Sequence, residues 1–265
     1  MNRFKPNNIK GLLLVFGMFL LSLNSSGQES AIQSDRPGQT FSSSTIEKNA
    51  IQIQTGLDWN PVDGMDDIFQ TPLYLRYGLF DRFEVNGAIT PIFNKPLAPY
   101  PSFEAGIRYH IVQNDRFNLT GQARYLNVDG IIAGPIQSAW GQANLSYNFG
   151  TASLSSTFAV VSSFADESLL IQNSTDLYST LNLGGSLGSE WGFFIEIAAL
   201  NFFQGNDSDA SQQLGLFEGM DWGFAWTPQP NVQLDFATDF LVSRFVTDGI
   251  KISFVSVGVS WKIEN

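Results

Sequence analysis

Ala50-Ile51-Gln52-Ile53-Gln54-Thr55-Gly56-Leu57-Asp58-Trp59-Asn60 decides the reading of this chain. Ile51, Ile53, Leu57 and Trp59 share one parity, and Gln52, Gln54, Gly56 and Asp58 share the other. Successive side chains of a strand point to opposite faces, so an extended Ala50–Asn60 has one apolar face and one polar face. Segments of this kind recur to the C-terminus, over residues 50–60, 68–79, 82–91, 102–110, 116–126, 137–149, 153–162, 177–186, 191–201, 213–226, 231–242 and 251–263. Such alternation, broken by turn residues, is the signature of a transmembrane barrel.

The connections set the topology. Those at Phe80-Asp81, Val112–Asp115, Gly150-Thr151, Gly188-Ser189 and Pro228–Pro230 are short. Those at Pro61–Asp67, Ile92–Pro101, Phe164–Asp176 and Gln204–Gln212 are longer and carry acids and prolines. Short turns at one end and long loops at the other predict an all-β, antiparallel up-and-down barrel of about 12 strands, with short periplasmic turns and long extracellular loops. A soluble β-sandwich or lipocalin-like barrel also alternates, but the loop asymmetry and the aromatics beside the short turns favour the membrane.

The hairpin repeat offers a register. With Tyr77 and Phe83 both facing lipid, they pair across the hairpin and Arg76 falls opposite Glu84 on the inner face; Tyr109 and Phe117 do the same at the next turn. These residues, with Tyr147, Phe149, Trp191, Trp226 and Trp261, would form an aromatic girdle at the short-turn end.

Upstream of the strands, Arg3, Lys5 and Lys10 precede the apolar run Gly11–Leu23, and Ser25, Ser26 and Gly27 follow it. That is a secretory signal pattern, with cleavage expected near Gly27. The run is shorter than the ~20 residues a spanning helix needs. No cysteine is present to carry a lipid anchor. Residues 1–27 are thus expected to be a cleaved signal, 28–49 an irregular N-terminal periplasmic or lumen segment, and 50–265 the barrel. The expected destination is the bacterial outer membrane. The C-terminus, Trp261-Lys262-Ile263-Glu264-Asn265, lacks the terminal aromatic many bacterial barrels use in assembly, so a signal of that type would be offset or weakened.

Net charge is −11, and −14 once the three cations of residues 1–27 are removed. That argues against a basic face for nucleic acid or anionic lipid. The single histidine, His110, falls by parity on the inner face, and no G-x-S-x-G elbow accompanies it, so a structural role is expected rather than a catalytic one. One histidine and no cysteine argue against a transition-metal cluster. Asp63, Asp66 and Asp67 do not have EF-hand spacing and read as a solvated acidic loop. No enzyme chemistry and no cofactor is expected. The expected partners are outer-membrane lipid and a small-molecule solute; nothing in the pattern bears on oligomeric state.

On the inner face, Arg76, Arg108 and Arg124 lie with Glu84 and Glu104 on early strands, and Glu196, Asp221, Asp235 and Asp239 lie on late ones. Two readings are open. The separated charges could set up a transverse field that orients polar solutes in a pore. They could instead pair and plug a narrow lumen, since 12 strands fall between a packed eight-stranded barrel and an open porin. Inner glycines at 106, 184, 219 and 223 would leave space in the lumen.

The runs Ser34-Asp35-Arg36-Pro37-Gly38-Gln39-Thr40, Ser42–Ile46, Gln52-Ile53-Gln54-Thr55-Gly56 and Leu75-Arg76-Tyr77-Gly78-Leu79-Phe80-Asp81-Arg82-Phe83-Glu84-Val85 resemble, in order and spacing, the outer-membrane family named for the meta-pathway of phenol degradation. The resemblance implies an outer-membrane β-barrel of transporter type that passes small solutes, hydrophobic or aromatic ones among them. It implies no catalytic residue. The two functions carried forward are a passive channel of this kind and a closed structural or partner-binding barrel. Asp35 and Arg36, just before the first strand, either tuck into the lumen as a plug or form a periplasmic turn.

Overall fold

A computed structural model of the chain describes residues 32, 34–35, 40–61, 67–93, 102–130, 134–164, 174–203, 219–240 and 254–264. Its strands are β1 (Ile51–Asn60), β2 (Ile68–Gln70), β3 (Leu73–Phe80), β4 (Phe83–Thr90), β5 (Ser102–Gln113), β6 (Phe117–Gly130), β7 (Gly134–Asn148), β8 (Ala152–Phe164), β9 (Ser174–Leu187), β10 (Trp191–Phe203), β11 (Gly219–Gln229), β12 (Val232–Phe240) and β13 (Val255–Ile263). Each pairs antiparallel with its sequence neighbour, and β13 closes the sheet by pairing with β1 from Ile51↔Ile263 to Trp59↔Val255. The short β2 and β3 both pair with β1 and act as one interrupted stave, so the described residues form a closed barrel of 12 staves.

The barrel is inside-out relative to a water-soluble protein. Gln52, Gln54, Glu84 and Glu196 are completely buried, while Leu75, Ile107, Phe158, Leu181 and Val257 are each about half exposed on the outer wall. In water this arrangement would expose a continuous apolar surface. In a bilayer it places the apolar parity against lipid and satisfies backbone groups without a free edge. No helix of the described residues is long and apolar enough to cross a membrane; this wall crosses with strands.

The two ends differ as expected. Asp81-Arg82, 114–116, 149–151, 188–190 and 230–231 connect strands at one end, and β1 begins and β13 ends there. The intervals 61–67, 91–101, 165–173, 204–218 and 241–254 lie at the other end; 131–133 is the one short connection there. Gly150 and Gly188 hold the turns at φ 101° and 80°, a region closed to most side chains. Outward aromatics gather beside the turns: Trp191 and Trp226 stack at 5.7 Å, Tyr147 meets Phe149 at 4.9 Å, and Phe80 meets Phe83 at 6.1 Å.

The expected hairpin register is corrected. Tyr77 pairs with Val85, Arg76 with Asn86, and Phe80 with Phe83. The turn is only Asp81-Arg82, with Arg82 at φ 66°, and an irregularity between Gly78 and Phe80 shifts the ladder. Tyr109 pairs with Gly121 rather than Phe117, because β5 runs on to Gln113 and is irregular between His110 and Val112. Phe83 and Tyr109 are instead partners across β4 and β5.

Candidate functional site

The inner face of alternating residues converges on the lumen, and the chain's own N-terminal segment enters it. That segment approaches along β3, where Lys48 bridges Gly78 in parallel and the Asn49 amide donates to the Gly78 carbonyl at 2.8 Å. A Cβ at Gly78 would collide with the Glu47 backbone, so only glycine permits this approach. From there the segment crosses the barrel at mid-height. Ile46 N donates to Glu84 Oε2 at 3.1 Å on β4. The hydroxyls of Ser43 and Ser146 (β7) are 2.6 Å apart. Phe41 N donates to Thr157 Oγ1 at 3.0 Å on β8, and Thr40 N to Glu196 Oε2 at 2.7 Å on β10. Ser34 Oγ reaches Gln54 on β1 at 3.1 Å and Ser260 on β13 at 2.9 Å.

A charged cluster ties this segment to the basic side of the wall. Arg76 donates from Nε and Nη2 to Glu84 at 2.8 and 2.7 Å. Arg108 donates from Nη2 to Asp35 Oδ2 at 2.9 Å, and Arg76 Nη1 stands 3.6 Å from the same oxygen. The Ser44 carbonyl accepts from Arg76 Nη2 at 3.1 Å and from Arg108 Nη1 at 3.2 Å. Asp35 in turn accepts from the Ser42 amide at 2.7 Å, which folds the segment on itself. Burial alone would raise the Asp35 carboxyl pKa, but the charges of Arg108 and Arg76 outweigh it and hold it below the ordinary value of 3.8.

Nearer the loop end, Arg124 donates from Nε and Nη2 to Glu104 at 2.7 and 2.5 Å. Its guanidinium lies 4.2 Å from the Phe41 ring centroid and 5.0 Å from that of Trp140. Trp140 meets Tyr178 edge-on at 5.8 Å. Above the segment lies a lumen cavity of about 590 Å³, lined by Asp35, Phe41, Tyr74, Glu104, Arg124, Trp140, Val161, Asp176 and Tyr178 among others.

Every named inner-wall residue thus lies on the inner face: Arg76, Glu84, Glu104, Arg108, Arg124, Glu196, Asp221, Asp235 and Asp239 are all buried. The three arginines are brought together with Glu84, Glu104 and Asp35. Glu196 joins the N-terminal segment, whereas Asp221 (paired with Glu196 and Asp239) and Asp235 line the wall from β11 and β12. Arg36 lies outside the described residues. Lys262, unremarked in the sequence, is buried on the inner wall and reaches Glu47 at 3.2 Å. His110 is buried opposite Thr120, and the described residues contain no cluster of three metal-ligating groups. Asp67 accepts from Trp59 Nε1 at 2.8 Å; Asp63 and Asp66 lie outside the described residues.

Two of the inner glycines, Gly106 and Gly223, do not leave the space expected of them, while around Gly184 the nearest atoms stand at an ordinary 3.4–3.6 Å. Asn86 and Arg124 fill the site beside Gly106, and the Phe194 ring covers Gly223. The inner aromatics were missed. Trp140 shares the parity of Gln142 and Asn144, and Tyr178 that of Asp176 and Thr180, so an aromatic on a polar parity was the available signal.

No family pattern matches the chain, and no curated protein matches it. The likeness to the phenol meta-pathway barrels therefore stands on the sequence runs alone. Solved structures of similar fold are outer-membrane barrels. The NanC porin is 12% identical, with 80% of this chain and 100% of that chain covered and a TM-score of 0.57. The KdgM porin, solved with disordered oligogalacturonate, is 8% identical, with 81% and 99% covered and a TM-score of 0.53. At such identity the likeness is one of fold.

Proposed function

We propose that this chain is an outer-membrane channel that admits small solutes, hydrophobic or aromatic ones among them, by passive diffusion, with its turn end in the periplasm and its loop end outside. A cleaved signal over residues 1–27 would deliver it there. The observation that carries this reading is the lumen cavity of about 590 Å³ enclosed by an otherwise polar inner wall. Cavities of this size suit small ligands, and this one sets Phe41, Trp140, Tyr178 and Val161 among charged and hydroxyl side chains. A long polyanion, such as the oligogalacturonate solved with the KdgM porin, suits this wall poorly. Arg76, Arg108, Arg124 and Lys262, the cations of the described inner wall, each already face a carboxylate.

A closed, partner-binding barrel is the second reading, and the N-terminal segment favours it. Between Ile32 and Ala50 the segment touches the wall on ten staves, from β1 and β3 through β10 to β13, and so stands across the path. Under the channel reading it is a plug that moves aside.

Planar-bilayer conductance of the refolded mature chain separates the two. Steps of steady conductance, enlarged in a variant lacking residues 28–49, support the channel. A heat-modifiable, folded barrel that stays silent both with and without residues 28–49 refutes it and leaves the closed barrel.

A further inference from the structure

We propose that the lumen cavity is a binding site for a small ring-bearing solute, neutral or cationic and not anionic, whose floor is the chain's own N-terminal segment. This deepens the channel reading and rests on it for the solute's route.

The position of the floor follows from the register. The segment meets the wall at Arg76, Glu84, Arg108, Ser146, Thr157, Thr180 and Glu196, at mid-barrel. The cavity is lined one to three inward positions nearer the loops, by Tyr74, Ala88, Glu104, Trp140, Val161 and Tyr178. Asp35 and Phe41 are the residues of the segment that reach it. A solute arriving from the loop end would therefore rest on the Phe41 side chain.

Ring preference follows from the lining. Trp140 and Tyr178 present their faces and edges at 5.8 Å and about 61° to one another, with Val161 beside them. Aromatic pairs favour offset or edge-to-face partners, so a third ring can add to this pair. The Trp140 Nε1–H is buried with no acceptor among the described residues, so a hydroxyl or carbonyl oxygen on the solute could serve it after a small ring shift.

Charge preference follows from the single cation on the lining. Asp35, Glu104 and Asp176 face it along with Arg124. The Arg124 guanidinium is taken at two positions by Glu104, at 2.7 and 2.5 Å, and it lies over the Phe41 and Trp140 rings. A carboxylate solute would have to displace Glu104 from Arg124 and would approach Asp176, while Asp35 is already matched by Arg108 and Arg76. A neutral or cationic solute meets no such penalty.

Calorimetric titration of the detergent-folded, full mature chain tests this with three probes sharing one ring: benzyl alcohol, benzylamine and benzoate. Saturable binding of the alcohol and the amine is expected, with benzoate about tenfold weaker or worse, on the scale of about 1.4 kcal/mol. Phe41→Ala and Trp140→Ala should each weaken the alcohol and amine by about tenfold, and Trp140→Phe should retain most of the binding, since stacking survives and only the N–H is lost. Phe41 lies outside the barrel wall, so its variant tests the site without touching the sheet. No saturable binding, equal binding of benzoate, or indifference to Phe41→Ala overturns the proposal. Binding in a barrel that never conducts keeps the site and removes the channel; conductance without binding does the reverse.

Discussion

Arg108 and Asp35, 73 residues apart in sequence, meet inside the barrel at 2.9 Å, and that bond fastens the N-terminal segment to the β5 wall. Arg76 stands 3.6 Å from the same carboxylate oxygen, so one acid serves two guanidinium groups. Asp35→Ala removes the shared anchor while Arg76 keeps Glu84. A charged hydrogen bond contributes about 2 kcal/mol, so the population with the segment out should rise roughly 30-fold. Larger or more frequent conductance steps in a planar bilayer are the expected result. Unchanged currents would mean that the pair does not restrain the segment.

Gly78 provides a second handle on the same segment. The Asn49 and Gly78 amides donate to Gly78 and Ala50 carbonyls at 2.8 and 3.1 Å, and a side chain at 78 would strike the Glu47 backbone. Gly78→Val should therefore cost the docked segment about 1–3 kcal/mol, the usual scale of overpacking. Amide exchange at Asn49 and Ala50 should quicken while exchange in β7 to β10 stays slow. Retained protection at residue 49 would show that the segment docks without this contact.

The acid limit of the closed state follows from Asp35. Its carboxyl is held below its ordinary value of 3.8, against the opposing effect of burial, by Arg108 and Arg76. A group whose pKa is lowered on docking stabilises the docked state fully above its free value. That contribution fades only as pH falls through the lowered one. Conductance should therefore be flat from about pH 8 to 5 and rise only in stronger acid, below the free carboxylate range near 3.9. A rise centred on pH 6 to 7 would point to another group.

The outer wall makes a separate prediction. Leu181 sits mid-strand on β9, opposite Ile197 and Ser156, and is about half exposed. Leu181→Arg would place a charge near the bilayer midplane, at a cost of about 2–4 kcal/mol. Urea unfolding from lipid vesicles measures it. A cost near zero would argue that this face does not meet hydrocarbon.

The barrel was legible in the sequence because alternation with period two is local, and each strand carries its own copy of the signal. The two ends were legible because connection length is read directly. The hairpin register was not, because it turns on one or two residues: Arg82 takes a left-handed conformation that usually favours glycine, and the irregularities at Gly78 and His110 leave no trace in hydropathy. The path of the segment was equally hidden. Asp35 carries no mark of Arg108, and the choice between lumen and periplasmic turn depends on contacts made between distant residues. Trp140 and Tyr178 were overlooked for a different reason: a polar parity was expected to be polar throughout, and the cavity lies where that expectation fails.

Ion selectivity is the remaining test of the wall. On the inner face of the late staves, Glu196, Asp221, Asp235 and Asp239 succeed one another around β10 to β12, with Asp58 on β1 and Asp176 on β9 flanking them. The inner-wall cations lie on β3, β5, β6 and β13 and are matched there by Glu84, Asp35, Glu104 and Glu47. Among the described inner-wall residues acids outnumber cations, and walls of low dielectric focus the field of such an excess. Under a KCl gradient the reversal potential should have the sign of potassium over chloride. Joint Asp235→Asn and Asp239→Asn should move it toward zero at low salt and less at high salt, as screening requires. Because both residues are buried on the lumen side and bear no lipid contact, the pair should leave heat-modifiability intact, which separates a loss of selectivity from a loss of fold. Chloride selectivity in the unmodified chain would show that cations outside the described residues control the path.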